Sequence, residues 1–343
     1  MKKIISSLIT ILVFLPFNGK TQDIHFTQFD KSPLVLNPGL AGAVYKTQVN
    51  LNYRNQWTSV ESPFQTFAFS VDQRINTKSR NSFLALGIYA LSDNAASTVK
   101  TMDIKFNVAG HIKINRLSSI GLGIQGGMLQ RSLDPGRFEW GSQYDGSSYN
   151  SAILNSEGST YNTIKVADVS AGIVYSYSAN EYHKMTGNND KILNFGVSVS
   201  HINRPKYSFV GSEERLPIKV TAFANSLISL SNSNVAIGPS LMYIRQNKAS
   251  EVLLGTRVRF LLQQASKVTG FRGESAASIG VYYRHKDAII TSLQYEISNY
   301  MIGLSYDFNV SQLSPASNLR GGFELSLRYA APNPFGNNSV RFR

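Results

Sequence analysis

Apolar residues recur at every second position through most of the chain, in runs too long for ordinary soluble strands. In the segment 191–201, Leu193, Phe195, Val197 and Val199 share one face and Asn194, Gly196, Ser198 and Ser200 the other. Ile104, Phe106, Val108 and Ile112 oppose Lys105, Asn107, His111 and Lys113. Ile302, Leu304, Tyr306 and Phe308 oppose Gly303, Ser305 and Asp307, and Phe323, Leu325, Leu327 and Tyr329 oppose Glu324, Ser326 and Arg328. A period of two is the strand period, and helical three-four spacing is not sustained anywhere after the first two dozen residues. Strands are expected near 44–54, 63–75, 82–91, 100–113, 119–131, 165–177 and 191–201. Further ones follow near 217–229, 234–244, 250–261, 275–285, 287–296, 299–308 and 320–330. That makes about fourteen, each roughly 9–13 residues long, where a bilayer crossing needs about 9–11 and soluble strands peak near 5–6.

Length decides the class. Hydrocarbon offers no partner to a backbone N–H or C=O, so a sheet in a bilayer must close on itself. Its outside must be apolar while its lumen is free to be polar, which imposes alternation on every strand. The expected fold is therefore all-β: a transmembrane outer-membrane antiparallel barrel. Tyr53, Tyr89, Tyr175, Tyr295 and Tyr329 are expected in the aromatic girdles of such a barrel. Composition agrees. Charged residues make up 16% of the chain against 42% hydrophobic, below the roughly 25% charged of soluble domains. The formal charge of +13 is scattered, without the basic runs that mark nucleic-acid binding.

The first residues read as an address. Met1-Lys2-Lys3 precedes a largely apolar stretch to Phe17, and small residues at Gly19 and Thr21 mark a cleavage site before Gln22. The stretch is short for a membrane span of about 20 residues. With no cysteine in the chain, lipid attachment to a cysteine, disulfides and thiolate metal sites are excluded. The expected organisation is a signal peptide over 1–21, a periplasmic or lumenal segment over 22–43, the barrel over 44–330 and a tail over 331–343. The segment 23–42 carries two prolines and two glycines, with apolar Phe26, Phe29, Leu34, Leu36 and Leu40 among its residues. It disfavours regular structure yet needs cover, so it is expected inside or beneath the barrel. With both termini in the periplasm, the connections after odd-numbered strands face outward, including 55–62, 92–99, 132–164, 202–216 and 309–319. The longest, 132–164, is rich in Gly, Ser, Tyr and Asn, which suits an adaptable exposed surface.

Letters that resemble catalytic motifs lack the context. Gly121-Leu122-Gly123-Ile124-Gln125-Gly126 matches a dinucleotide fingerprint, but no helix or βαβ unit follows; glycines that let another backbone approach a barrel strand account for it better. Gly273-Glu274-Ser275-Ala276-Ala277 lacks the last glycine of a nucleophile elbow. The five histidines have no zinc-ligand spacing. No catalytic residue, cofactor or metal is expected. General diffusion through an open lumen stays as the alternative function.

A text of motifs runs through both ends of the chain. Gln22-Asp23-Ile24-His25-Phe26-Thr27-Gln28-Phe29 leads to Asn37-Pro38-Gly39-Leu40-Ala41-Gly42 and to Asn52-Tyr53-Arg54-Asn55-Gln56-Trp57. Near the other end stand Tyr282-Tyr283-Arg284, Gly303-Leu304-Ser305-Tyr306-Asp307-Phe308-Asn309 and Gly321-Gly322-Phe323-Glu324-Leu325. This text resembles the PorP/SprF family of type IX secretion and gliding proteins of Bacteroidetes. The resemblance implies a non-enzymatic outer-membrane barrel that supports export of a large adhesin and anchors it at the cell surface through its C-terminal sorting domain. It implies partners among type IX secretion components, including a periplasmic peptidoglycan-binding lipoprotein, with outer-membrane lipid around the barrel and no nucleic acid. Asn37, Pro38, Arg54, Asn55, Gln56, Trp57, Asp134, Tyr144 and Tyr149 are the candidate partner-binding residues.

Overall fold

In the computed structural model, fourteen antiparallel strands close into one barrel. The structure describes residues 23–57, 63–75, 81–96, 98–134, 138–154, 163–178, 191–209, 213–263, 274–311 and 320–331. The expected signal peptide, and the tail from 332 on, lie outside these. The strands are β1 (Thr47–Gln56), β2 (Phe64–Ile75), β3 (Ser82–Ala95), β4 (Val99–Lys113), β5 (Ser118–Leu133), β6 (Ile164–Ser178) and β7 (Lys191–Ser200). They continue as β8 (Lys219–Ser229), β9 (Val235–Gln246), β10 (Ala249–Gln263), β11 (Ser275–Arg284), β12 (Ala288–Ile297), β13 (Tyr300–Asn309) and β14 (Arg320–Ala331). Each pairs with its sequence neighbour, and β1 closes on β14 from Thr47↔Ala331 to Gln56↔Gly322.

The alternation appears as burial. On β7, Asn194, Gly196, Ser198 and Ser200 are buried while Leu193, Phe195 and Val197 are exposed. Phe106 and Ile112 are each 67% exposed, whereas Lys105, Asn107 and His111 on the other face are buried. Polar inside and apolar outside is the reverse of a soluble domain and is what lipid requires.

Two expectations need correction. Five strands exceed the expected length: β3 has 14 residues, β4 15, β5 16, β6 15 and β10 15. The supposed loop 92–99 is mostly ladder, with Ser92↔Met102 through Ala95↔Val99 paired. Its polar residues read as a loop because they carry the sheet beyond the apolar band into water. Tyr89 does not join a girdle. Its phase on β3 turns it inward, where it is 3% exposed and its hydroxyl donates to Asp103. Tyr295 and Tyr300 do face outward, and the Tyr300 and Tyr329 rings pack at 5.1 Å.

The barrel has two rims. At the near rim β1 starts and β14 ends; at the far rim lie the connections after the odd-numbered strands. Residues 23–43 run through the lumen between them. A 3-10 turn (Phe29–Lys31), a one-turn helix α1 (Pro33–Leu36) and a second 3-10 turn (Pro38–Leu40) are their only regular elements. Two prolines start these turns where their missing N–H is harmless. Phe29 and Leu36 pack in one cluster with Val174, Phe223, Met242, Leu253 and Ile290. Phe26, Leu34 and Ala41 pack in another with Ala68, Ala85, Tyr89 and Ala109. The segment thus touches walls on both sides of the lumen.

Candidate functional site

The lumenal segment is held by polar clamps along its whole length. Near the far rim, Asp23 N donates to Gln246 Oε1 at 2.8 Å. His201, just past β7, donates Nε2 to Asp23 Oδ2 at 2.6 Å and Nδ1 to Asp168 Oδ1 at 2.9 Å. Lys219 Nζ reaches Asp23 at 3.1 Å, and Lys105 bridges Asp103 and Asp168. Burial opposes the Asp23 charge, but Lys219 and His201 outweigh it and hold the carboxyl far below its usual range. Burial likewise opposes a charged His201, while hydrogen bonds to Asp168 and Asp23 prevail and raise its pKa above the ordinary 6.5. His201 thus bridges the two carboxylates through both ring nitrogens.

The next clamp gathers four strands. Glu324 on β14 accepts from Thr27 N at 2.8 Å and Gln28 N at 3.0 Å. Asp307 on β13 receives Arg54 Nη2 from β1 at 3.1 Å and Arg284 Nη2 from β11 at 3.0 Å. Arg284 also donates to Thr27 Oγ1 at 2.6 Å, and Arg54 to the His25 carbonyl. Lower down, Asp30 lies 2.8 Å from Lys31 Nζ and 2.5 Å from Arg257 Nη1. Arg328 Nη2 donates to the Asp30 carbonyl at 2.6 Å, closing the cluster.

Toward the near rim wall and segment side chains bond backbone carbonyls, and at Gly123 the backbones themselves come close. Asn37 Nδ2 donates to the Ile173 carbonyl at 3.1 Å, Asn107 Nδ2 to Pro38 O at 3.0 Å, and Ser198 Oγ to Leu36 O at 2.7 Å. A Cβ on Gly123 would overlap the Pro38 carbonyl, and one on Gly172 would overlap the Asn37 side chain. His111 donates Nε2 to Ala41 O at 2.7 Å, and Arg74 closes the segment on the Gly42 carbonyl. His111 and His201, which sit among serine-rich strands, are therefore spent on the clamp.

The candidate residues fall into two groups. Asn37, Pro38 and Arg54 are buried in the lumen, with Arg54 1% exposed. Asn55 and Gln56 end β1 at the far rim, and Trp57, at φ +55°, packs edge-on against Phe64 at 4.9 Å. Asp134 is exposed where β5 ends, its N–H on the Thr98 carbonyl. Tyr144 and Tyr149 come together as an antiparallel bridge in a small far-rim hairpin. Asp145 fastens the turn by accepting from Ser147 N at 2.9 Å and Ser148 N at 2.8 Å, and Gly146 supplies φ +100°. Buried Gln143 ties the hairpin base to the Ile153 carbonyl at 2.9 Å. The tyrosines are left 58% and 41% exposed. The candidate set omits the wall residues Asp168, His201, Arg257, Asp307 and Glu324. For Asp168, Arg257, Asp307 and Glu324 the signal was a charged residue in the inward phase of an apolar-alternating strand; His201, just past β7, carried no such phase.

A closed barrel with an apolar exterior, a charged lumen and a lumen-threading N-terminal segment is an integral outer-membrane protein. A deletion mutant of the TodX monoaromatic hydrocarbon channel shares the fold with a TM-score of 0.50 at 8% identity, covering 89% of this chain and 94% of that one. A Pseudomonas aeruginosa FadL homologue (TM-score 0.43, 11% identity, 88% and 94% covered) also matches. So does the translocator domain of autotransporter NalP from Neisseria meningitidis (0.40, 9%, 88% and 94%). A search of the curated proteins finds no match. The chain belongs to the type IX secretion system membrane protein PorP/SprF family, whose model matches residues 18–329. It is thus an outer-membrane barrel of the type IX secretion system.

Proposed function

We propose that the protein serves without catalysis as a fixed outer-membrane body that supports export of a large adhesin and retains it at the cell surface through its C-terminal sorting domain. The near rim faces the periplasm and the longer far-rim connections face outward, as in other barrels of this kind. The carrying observation is the lumenal segment, anchored from Asp23 at one mouth to Gly42 at the other. A lumen occupied this way favours a scaffold over a diffusion channel, because passage needs the clamps to open. The far-rim hairpin with Tyr144 and Tyr149 has the rigid aromatic and small polar character of protein-binding loops. Retention of the adhesin by such loops needs no reacting group.

Deletion of the gene tests the reading. Adhesin degraded or released into the medium is the expected result; normal surface display without the protein would overturn it. Planar-bilayer recordings separate the alternative, since large steady openings of the intact protein would favour a general channel.

A further inference from the structure

The near rim carries a cavity that the lumenal clamp leaves unfilled. Its volume is about 100 Å³, and Lys46, Arg74, Lys113 and Arg116 all line it. Among the described residues no Asp or Glu lines it. Three of the cations occupy the inward phase at strand ends: Lys46 precedes buried Gln48, Arg74 follows buried Asp72, and Lys113 follows buried His111, each by two positions. Arg116 comes from the turn between β4 and β5. Arg74 is fixed in advance, since Nε and Nη2 donate to Gly42 O at 2.9 and 2.6 Å and the guanidinium lies 3.9 Å from the Phe83 ring centre. Asp72, on the same strand, is buried and accepts from Gly42 N. Among the described residues no carboxylate pairs with Lys113 or Arg116. Ser176, on β6, is 8% exposed and its Oγ has no partner.

Lys113, Arg116 and the guanidinium of Arg74, gathered around a small cavity, repel one another unless an anion joins them. A preset guanidinium and an unpartnered buried hydroxyl supply donors for it. We propose that this cavity is a docking site for the carboxylates of an acidic peptide segment of a partner polypeptide. The cations point into the aqueous mouth, whereas Ile75, Ile112 and Ile114 beside them face lipid, so the site is turned away from lipid headgroups. Leu117 and Tyr177 in the lining offer apolar cover that suits the methylenes of a glutamate and is wasted on a bare inorganic anion. On the orientation proposed above the partner comes from the periplasm, but the test below does not depend on that orientation.

The full chain in nanodiscs, titrated into fluorescein-labelled hexaglutamate, reads the site by fluorescence polarisation. Lys113→Glu with Arg116→Glu is expected to weaken binding by about tenfold or more. Lys206→Glu, at an exposed far-rim lysine paired with Glu213 at 2.8 Å, is expected to leave it within about twofold. Equal loss in both variants would mean that the peptide senses overall charge, and the proposal falls. It falls also if the wild type does not bind hexaglutamate, whether or not millimolar inorganic phosphate binds instead. Heat-modifiable migration in gels reports folding. Should the charge reversal misfold, Lys113→Gln with Arg116→Gln carries the test, with a smaller loss in the same direction; unchanged affinity there overturns the proposal.

Discussion

Gly123 of β5 lies directly beneath Pro38, so close that its missing side chain is the space the Pro38 backbone occupies. The obstacle is backbone, which cannot swing aside as a flexible side chain can. Gly123→Leu should therefore expel the Pro38–Leu40 turn while leaving every lipid-facing residue intact. The expected result is a folded barrel with discrete conductance steps in planar bilayers, where the wild type is nearly silent. A variant as quiet as the wild type would show that this turn does not close the lumen.

Arg54 and Asp307 are both nearly inaccessible and form an ion pair that shares Arg284 and Thr27. Removing one member of a buried pair strands the other, which costs about 3–5 kcal/mol. Arg54→Ala should lower the temperature at which the barrel loses its compact migration. Arg54→Met with Asp307→Leu should recover part of that loss, because no buried charge is then left over. If the double variant were worse than the sum of the single ones, the pair would owe its effect to shape rather than charge.

His201 gives the far-rim end of the lumenal segment a pH dependence. The groups facing it are Asp168 on β6, Asp23 on the segment, Lys219 on β8 and, through Asp168, Lys105 on β4. Its folded pKa is raised from 6.5, so its stabilisation is complete below that value and fades as pH climbs through the raised one. Asp23 titrates far lower and contributes nothing to this window. Hydrogen exchange at residues 23–29, corrected for intrinsic rates, should accelerate on passing from pH 6 to pH 9. In His201→Gln the exchange should be fast and flat across that range; a wild-type slope surviving in the variant would refute the assignment.

Tyr144 and Tyr149 are exposed together on a hairpin whose turn is fastened by Asp145. Truncating both to alanine removes two rigid aromatic contacts without touching the barrel wall. Surface-retained adhesin should drop by about tenfold in the double variant, in keeping with loss of an aromatic anchor pair, while barrel migration stays unchanged. Asp145→Ala, which loosens the turn alone, should give a smaller drop. Undiminished retention in the double variant would move the binding surface elsewhere.

What the sequence could and could not reveal follows from the range of each force. Strand number and inward phase were legible, because lipid acts on every residue of a strand and leaves a period of two. Glu324 and Asp307 were visible as polar residues in phase, but their partners Thr27 and Arg54 lie hundreds of positions away. Pairings set by ring closure leave no local trace. Tyr89 misled for a related reason: an aromatic residue in a strand suits a girdle or a lumen equally, and only its phase against buried Ala85 and Leu91 decides. The 92–99 segment misled because polar residues on a strand that rises into water look like a turn.

The sharpest check on the lipid-facing side is depth. Ile279 lies midway along β11, is 56% exposed and has buried Ser278 beside it. Tyr300 opens β13 at the near rim and is 61% exposed. An arginine at the bilayer midplane costs about 2–4 kcal/mol but only about 0–1 near the interface. Ile279→Arg should thus destabilise refolding into vesicles strongly and Tyr300→Arg weakly, although the two side chains are almost equally exposed. Ser278→Thr, one position away but facing the lumen, should matter little by comparison. Urea titrations of the refolded protein in phospholipid vesicles give the three values directly. Equal costs at Ile279 and Tyr300 would mean that the two positions meet the same medium, which a barrel crossing the bilayer does not permit.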